Sequence, residues 1–547
     1  IVYSLCSWAM KFRLVKILLS ATRSMQILMP NTLNLFKKAS LLGGFFVVIF
    51  FVLTACNTDR ADEQMVFRYN EPAGIPSLDP AFAKEKSSIW AVQQLYEGLV
   101  VLDANNDIAP ALAIDWKIDS GATVYTFRLR DARFHNGKIV TAEDVVYSLT
   151  RLKDPRVASP GSWVVEGLST YKAIDASTVE IVLEEPNASF LSLLAMPFCS
   201  VIPSGETALN TAPVGTGPFK FHVWHYGEKL VLHKHEMYWR VDSAGVQLPY
   251  LDGISISFLT DQQSAFLEYL RGTFDFLPNL DPSFKDDLLT RQGMLQERYM
   301  AEHTLVRSPF LNTEYLVFNA ERPLSRDLRW AINAAIDRAE MIASLRNGVG
   351  VPATGGIIPV GLPGHQTAGG IGYAPDSAKS IIKSYEVLPE LTLTTVANYR
   401  DLCEFVQGAL AKLGWEIAVN VVPSAALRSQ KSAGSLDFFR ASWIADYPDA
   451  ANYLMLFSSE MKAPNGPNYS RYSSPIFDSL YRSIQYLPAG KERTELISAA
   501  DAFLSEEAVS VPLYYDEVLR VFPSRTSGVR TNALNALILL EAQVVQD

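Results

Sequence analysis

The sequence has little cysteine, no excess of basic residues and a modest content of charged residues. Its 547 residues include four cysteines, too few for a disulfide scaffold or a cysteine-rich zinc array. The 48 Lys and Arg against 58 Asp and Glu leave a net charge of −10, which argues against a general nucleic-acid-binding protein. A content of 48% hydrophobic and 19% charged residues is typical of a globular protein, here of two to four domains or one large two-lobed body.

Motifs of catalysis and cofactor binding are missing as well. The chain contains no GxxxxGK[S/T] phosphate loop, no GxSxG nucleophile elbow and no HExxH zinc helix. Four histidines lie within fourteen residues: His222, His225, His233 and His235. The last two would share one face of a strand, a spacing that fits surface histidines or a metal site. No cysteine or carboxylate group accompanies them, so we predict no metal, no cofactor and no enzyme activity.

Residues 1–55 have the features of an export signal. They contain no Asp or Glu and six Lys or Arg, so removing them changes the net charge from −10 to −16. The uncharged run LLGGFFVVIFFVLT (41–54) has the length of the apolar core of a secretory signal, although a membrane helix is the alternative. It ends in Leu-Thr-Ala-Cys, which resembles the lipobox of bacterial lipoproteins. That resemblance implies cleavage before Cys56 and lipid attachment to its thiol.

The mature protein would then begin at Cys56, with acyl chains holding it at a membrane surface. Met25 or Met29 could start a signal of normal length, so residues 1–24 are interpreted as an upstream extension. Beside the lipidated Cys56, two cysteines remain in the mature body, Cys199 and Cys403. An oxidising compartment permits a bridge between them, but we predict two buried thiols.

Strand and helix patterns alternate along the mature chain. Alternating polarity predicts strands at 124–130, 178–183 and 254–258. Thr141 followed by Asp144 predicts a capped helix, and two further helices are predicted from Ser325 to about 345 and from about 400 to Gly414. The glycine- and proline-rich segment 348–375 predicts a long surface loop. This mixture indicates an α/β protein.

Seven segments resemble, in order, those of family 5 bacterial solute-binding proteins, the oligopeptide- and dipeptide-binding group that serves ABC importers. The first is YTFRLRDARFHNGKIVTAEDVVYSLTRL from Tyr125. The others are PVGTGPFKF (213–221), LDGISISFL (251–259), DLRWAINAAIDR (327–338), RASWIADYPDAANYL (440–454), YSSPIFDSL (472–480) and VPLYY (511–515). Together they span about residues 66 to 530.

The resemblance implies a two-lobed periplasmic-binding-protein-like fold of the large type, with two α/β lobes joined by hinge strands and an extra subdomain. Because the chain crosses between the lobes, the expected domains are discontinuous. We place lobe I at 57–88, 217–309 and 521–547, the extra subdomain at 89–216, and lobe II at 310–520.

A receptor for peptides of many sequences can read only what all peptides share: an α-ammonium, a backbone and a carboxylate. Backbone groups can pair with an exposed sheet edge, and the ammonium needs an anion, because an unpaired buried charge is costly. In the family, the aspartate three residues after the tryptophan of RASWIAD pairs with the ammonium, which implies this role for Asp446. The arginine three residues before the tryptophan can reach a peptide carboxylate or backbone, which implies this role for Arg440. From the residues alone, Asp446 could instead cap a helix from Pro448, with Arg440 a surface charge.

The same segment and two other positions complete the predicted site. Ala441, Ser442 and Trp443 would offer main-chain groups to the ligand, and Trp443 would wall the pocket. Trp163 follows a stretch similar to one that lines the cleft in the family, although a core position fits it as well. Some members use a glutamate shortly before a Ser-Leu-Asp-Pro motif to bind the ammonium. Here the nearest candidate is Glu71, which lies further from that motif.

These features predict a lipid-anchored receptor, in the periplasm or on the outer cell surface, that delivers short peptides to an ABC permease. The expected partners are peptides, permease subunits and a membrane, without nucleic acid, and we assume a monomer. The alternative keeps the importer role for a metal chelate, a sugar or a cell-wall peptide. A peptide hydrolase would need a nucleophile with its base or a metal triad, and neither is found.

Overall fold

The computed structural model describes residues 64–278, 280, 282–322 and 324–545. The predicted export signal and Cys56 lie outside the described residues. The strands, in chain order, are β1 (Val66–Asn70), β2 (Val100–Leu102), β3 (Ile108–Pro110), β4 (Ala113–Ile118), β5 (Val124–Leu129), β6 (Leu168–Asp175), β7 (Thr178–Leu183), β8 (Phe219–His225), β9 (Lys229–Lys234), β10 (Gly253–Ser257), β11 (His303–Phe318), β12 (Val351–Pro352), β13 (Thr392–Thr395), β14 (Ala418–Val421), β15 (Phe438–Ile444), β16 (Ser510–Pro523), β17 (Thr526–Ser527) and β18 (Gln543–Val544).

The helices alternate with these strands, as expected for an α/β protein. They are α1 (Lys86–Leu95), α2 (Ala142–Lys153), α3 (Phe190–Leu194), α4 (Gln262–Leu270), α5 (Pro282–Leu288), α6 (Arg326–Ala334), α7 (Arg338–Leu345), α8 (Pro375–Lys383), α9 (Arg400–Ala411), α10 (Ser424–Ala433), α11 (Ala451–Leu454), α12 (Pro475–Tyr486) and α13 (Lys491–Glu506). None of the helices in the described part is long and apolar enough to cross a membrane.

Three larger sheets organise the molecule. Sheet 1 has the order β1-β10-β9-β8, sheet 2 the order β12-β16-β11-β15-β13-β14, and sheet 3 the order β4-β5-β7-β6. Sheet 3 is antiparallel throughout, whereas sheets 1 and 2 each combine parallel and antiparallel pairs. Each sheet is packed against helices by its own hydrophobic cluster, and sheet 2 is covered on both faces.

The two longest strands, β11 and β16, connect sheet 1 with sheet 2. Val306 and Phe522 pack against the core of sheet 1, whereas Leu316 and Val511 lie in the core of sheet 2. The pairing register of the two strands shifts between Pro309 and Thr313, where the ladder passes from one core to the other. These are the strands that a hinge requires.

The positions of the sheets and of helix α1 can be compared with the predicted domain ranges, which stay predictions. The strands of sheets 1 and 3 fall within the ranges given for lobe I and the extra subdomain. Helix α1 packs onto sheet 1 through Trp90, Val92 and Leu95, although most of it falls in the range given for the extra subdomain. The reason is its amphipathic face, whose apolar residues cover sheet 1.

The local patterns are confirmed where the signal is local. Strands β5, β7 and β10 form within one residue of the predicted positions. Helix α2 begins at Thr141, whose side chain and that of Asp144 form the capping box. Cys199 and Cys403 are free, buried thiols in the cores of different sheets.

Two expectations for the second half were wrong. The helix predicted from Ser325 to about 345 is two helices, because Asp337 accepts a hydrogen bond from the N–H of Glu340 and starts α7 anew. The segment 348–375 is largely a loop, but its middle does not lie at the surface: Ile357, Ile358 and Leu362 are buried in the core of sheet 2. Their apolar side chains outweigh the turn-forming residues around them.

Candidate functional site

The predicted ligand-binding segment forms strand β15 and the loop that follows it. On one side, β15 pairs with β11 along its whole length, from Phe438 to Ile444. On the other side, β13 pairs with it only at Phe438 and Phe439. In the described part of the chain, β15 therefore has no strand neighbour on that side from Arg440 onward, and an extended ligand could add there as a strand.

Asp446 lies directly beyond this open edge. The N–H of Ala445 donates to the carbonyl of Leu311 at 2.9 Å and ends the ladder. The Asp446 side chain is exposed, yet surrounding protein atoms withdraw enough water from its carboxylate to raise its pKa. A hydrogen bond of 3.4 Å from Asn452 Nδ2 to Asp446 Oδ2 opposes this shift. An anion in this environment is stabilised by an incoming cation.

Asn452 holds the segment together. Its Oδ1 accepts hydrogen bonds from Trp443 Nε1 at 2.8 Å and from the N–H of Asp446 at 3.3 Å. Trp443 is half-buried, so it presents only part of its ring to solvent. Ala441 is buried. The alternative that Asp446 caps a helix is not met, because α11 begins at Ala451 and it is Asp449 that accepts the Ala451 N–H, at 2.8 Å.

The loop after β15 also touches the part of the chain built around sheet 3. Trp163 is 39% exposed, and its ring lies 6.4 Å from that of Tyr447, centroid to centroid. Asp449 accepts a hydrogen bond of 2.9 Å from Ser189 Oγ and forms a buried ion pair of 2.9 Å with Arg493. Trp163 therefore lies close to Asp446, because its ring contacts Tyr447, the residue that follows Asp446 in the sequence.

A cavity of about 560 Å³ opens where β11 and β16 pass between the sheets. It is lined from the side of sheet 1 by Pro278, Leu280 and Lys285, and from the side of sheet 2 by Arg346, Tyr399, Tyr514 and Asp516. Arg346 and Asp516 form an ion pair of 2.8 Å. The volume is that of a pocket for a small organic ligand.

Arg440, for which the resemblance implies contact with a ligand, is paired with a carboxylate of the protein itself. Its Nε and Nη2 both donate to the carboxylate of Glu314, on the neighbouring strand β11. Both side chains are buried, and the guanidinium carbon lies 3.3 Å from the centre of the Tyr399 ring. Burial raises the pKa of Glu314 and the Arg440 charge opposes that rise. Glu314 thus occupies the edge of the guanidinium formed by Nε and Nη2, and contact of Arg440 with a ligand, which would use the Nη1 side, stays a prediction.

Glu71 is buried directly after β1, and its Oε2 lies 3.3 Å from Lys86 Nζ. Burial lowers the pKa of Lys86, and the carboxylate of Glu71 opposes that effect. The Lys86 ammonium also lies 4.4 Å from the centre of the Trp90 ring. No contact joins Glu71 to Asp446 among the described residues, so a role in amine binding stays a prediction.

The clustered histidines separate into two environments. His222 and His233 are exposed and stack at 3.9 Å, centroid to centroid. His235 lies beyond the end of β9 and is buried against His135, so it does not share the face of His233. Among the described residues, no group of three or more potential ligands is arranged to hold a metal ion.

Three contributors to this region were missed by sequence reasoning: Glu314, Asp449 and Asn452. A charge inside the apolar strand NTEYLVF was a usable signal for Glu314. The other two lie inside the segment 440–454, but an Asp and an Asn near a helix start usually act only as caps.

Comparison with known proteins adds to this geometry. The model of the bacterial extracellular solute-binding proteins, family 5 (Middle), matches residues 107–465, more than half of the chain and including β15 and Asp446. The chain is 28% identical over 499 residues to the periplasmic murein peptide-binding protein MppA of Escherichia coli strain K12, covering 84% of this chain and 88% of the relative. It is 26% identical over 519 residues to the probable deoxycholate-binding periplasmic protein YgiS of the same strain, covering 86% and 92%.

A solved structure extends the likeness to the fold. The unliganded open form of the murein tripeptide-binding protein MppA superposes with a TM-score of 0.77 at 23% identity, covering 89% of this chain and 98% of that one. The predicted two-lobed α/β fold is confirmed by this likeness, and the family consists of binding proteins rather than enzymes. By its family model, its coverage and its fold, the chain belongs to the bacterial extracellular solute-binding proteins of family 5.

Proposed function

We propose that this protein is an extracytoplasmic receptor that binds short peptides between its lobes and delivers them to an ABC importer. The observation that carries the proposal is the position of Asp446, an accessible carboxylate without a basic partner among the described residues, at the end of the open edge of β15. An α-ammonium would pair with the carboxylate while the peptide backbone pairs with main-chain groups of Ala441, Ser442 and Trp443.

Closure of the lobes around a bridging ligand would present the form that docks on a permease. Lipid attachment at Cys56 would hold the receptor at the membrane. Relatives named for murein peptides, oligopeptides and dipeptides support a peptide ligand. Relatives named for deoxycholate and heme make a non-peptide ligand the competing hypothesis.

The test is thermal unfolding of the purified protein, unfolded and refolded beforehand to remove carried-over ligand, with and without a pool of tri- to pentapeptides. A ligand that binds the native state raises the midpoint by mass action. We expect a rise with the free peptides and none with the N-acetylated pool. Deoxycholate and heme are the comparison ligands, and a rise with either of these alone would contradict the peptide proposal.

Asp446→Asn is the test variant, and Asp131→Asn is the matched control, which removes the same charge from an exposed site that forms no ion pair with the described residues. Loss of a desolvated charge partner costs about 2–5 kcal/mol, which corresponds to a loss of affinity of at least about 30-fold. N-acetylation of the peptide should cost a similar amount in the native sequence and little more in Asp446→Asn. Full additivity of the two losses would show that Asp446 does not touch the amine.

A further inference from the structure

The ion pair between Arg440 and Glu314 lies next to Tyr399 and Tyr514, two residues that line the cavity between the sheets. In the sheet register Glu314 stands opposite Ser442 on β15 and opposite Tyr514 on β16. Its side chain reaches diagonally to Arg440, two positions along β15. Glu314 is 1% and Arg440 8% exposed, so neither charge is satisfied by bulk water.

One aromatic ring separates the pair from the cavity. Tyr399, on the short turn Ala397–Tyr399 after β13, lines the cavity and covers the guanidinium of Arg440. Tyr514, which faces Glu314 across the ladder, lines the same cavity. The cavity charges Arg346 and Asp516 act on Glu314, lowering and raising its pKa respectively. The pair is therefore within electrostatic reach of whatever occupies the cavity.

A planar guanidinium near a ligand cavity can bind a carboxylate, because the two parallel N–H groups on one of its edges match the two carboxylate oxygens. Here Glu314 supplies those oxygens from within the protein. Buried ion pairs of this kind repay their desolvation poorly, so fold stability alone is a weak reason for this one. A ligand carboxylate that approached the remaining Nη1 side of Arg440 would be repelled by the neighbouring charge of Glu314.

We infer that Glu314 is a specificity-determining residue that fills the carboxylate-binding fork of Arg440, so that the receptor takes amine-bearing peptides without selecting for a free carboxylate at the far end. The inference rests on the proposed function and narrows it. The ligand class is then peptides read at the ammonium by Asp446, with an amidated or extended carboxyl end bound as well as a free one. Repulsion between Glu314 and a ligand carboxylate would offset the attraction of that carboxylate to Arg440, so a free carboxyl end gains no advantage over an amidated one.

The experiment measures affinity for alanine peptides of three to five residues, each prepared as the free acid and as the carboxamide. The native protein is expected to bind the two forms with dissociation constants within about threefold of each other. In Glu314→Gln the guanidinium is left with one neutral acceptor, and we expect the acid to gain at least about tenfold over the amide, the worth of one charge-assisted hydrogen bond. Glu416→Gln, which changes an exposed glutamate, should behave like the native protein.

A double variant guards against misfolding of the single one. Glu314→Gln with Arg440→Gln removes both charges at nearly constant size, and it should restore the native indifference to the carboxylate. The inference is overturned if the native protein already prefers the acid by more than tenfold, or if Glu314→Gln binds both forms with the native ratio. If no peptide of either series binds any of these proteins, the proposed function fails and the inference with it.

Discussion

Asp449 links the ligand-binding loop to two other parts of the molecule, and its replacement by alanine is a direct test of that arrangement. Its Oδ1 accepts from Arg493 Nη2 at 2.9 Å and from the Ala451 N–H at 2.8 Å, and its Oδ2 accepts from Ser189 Oγ at 2.9 Å. Asp449 and Arg493 are both buried. The carboxylate therefore fixes the loop that begins at Asp446.

The contacts give an expected order of effects. Asp449→Ala leaves the Arg493 charge buried without its partner, which typically costs about 3–5 kcal/mol. Ser189→Ala removes one neutral donor to the same carboxylate and should cost about 0.5–1.5 kcal/mol. The large difference follows because only the first change strands a buried charge.

Amide hydrogen exchange of the segment 445–457 measures this effect locally. A loss of about 3 kcal/mol should speed exchange there by at least about 100-fold in Asp449→Ala, and by about tenfold or less in Ser189→Ala. Amides of β5, in sheet 3, serve as the internal control and should keep their protection. The reasoning is refuted if the two variants exchange alike, or if segment 445–457 is no faster in Asp449→Ala than in the native protein.

Two other predictions concern buried titrating groups. Burial raises the pKa of Asp501 to about 7, although the Ile357 and Ile358 N–H groups donate to it. Its folded pKa lies above the unfolded value of about 3.9, so its contribution to stability is complete below about pH 4 and is lost as the pH rises through about 7, by up to about 4 kcal/mol. The native protein should therefore lose more free energy of unfolding than Asp501→Asn when urea titrations at pH 5 and pH 8 are compared. If the difference in free energy between the two proteins is the same at both pH values, the raised pKa of Asp501 is contradicted. Burial also raises the thiol pKa of Cys199 and Cys403 to about 12, so iodoacetamide at pH 8 should alkylate both only after unfolding, and alkylation of the native protein would count against their burial.

Local signals carried the sequence-based prediction of the fold, and non-local packing limited it. The capping box at Thr141 and the alternation of β5 and β7 act within a few residues, so they could be read directly. The burial of Ile357 depends on Asp501, which lies 144 positions away and accepts its N–H. No window of local sequence contains that partner, and a segment rich in glycine and proline was therefore assigned to the surface.

The candidate site divides in the same way. Asp446 and Trp443 lie in one short segment, so a family resemblance in that segment could single them out. Glu314 comes to Arg440 from 126 positions away, through the pairing of β11 with β15. Whether an arginine is open to a ligand is decided by such a neighbour, and the segment around Arg440 does not contain it.

The charges around the candidate site are consistent with a cationic ligand under the proposed function. Several carboxylates there already have basic partners: Glu71 with Lys86, Glu314 with Arg440, Asp449 with Arg493, Asp516 with Arg346 and Glu517 with Arg307. Asp446 instead has one amide at 3.4 Å and a raised pKa. A partly desolvated carboxylate without a counter-ion is stabilised by a cation and not by an anion, so under the proposed function a ligand that brings positive charge to Asp446 should bind best. The pKa of Asp446 should accordingly fall when such a ligand binds. Binding should therefore weaken as the pH drops toward the pKa that Asp446 has in the unliganded protein.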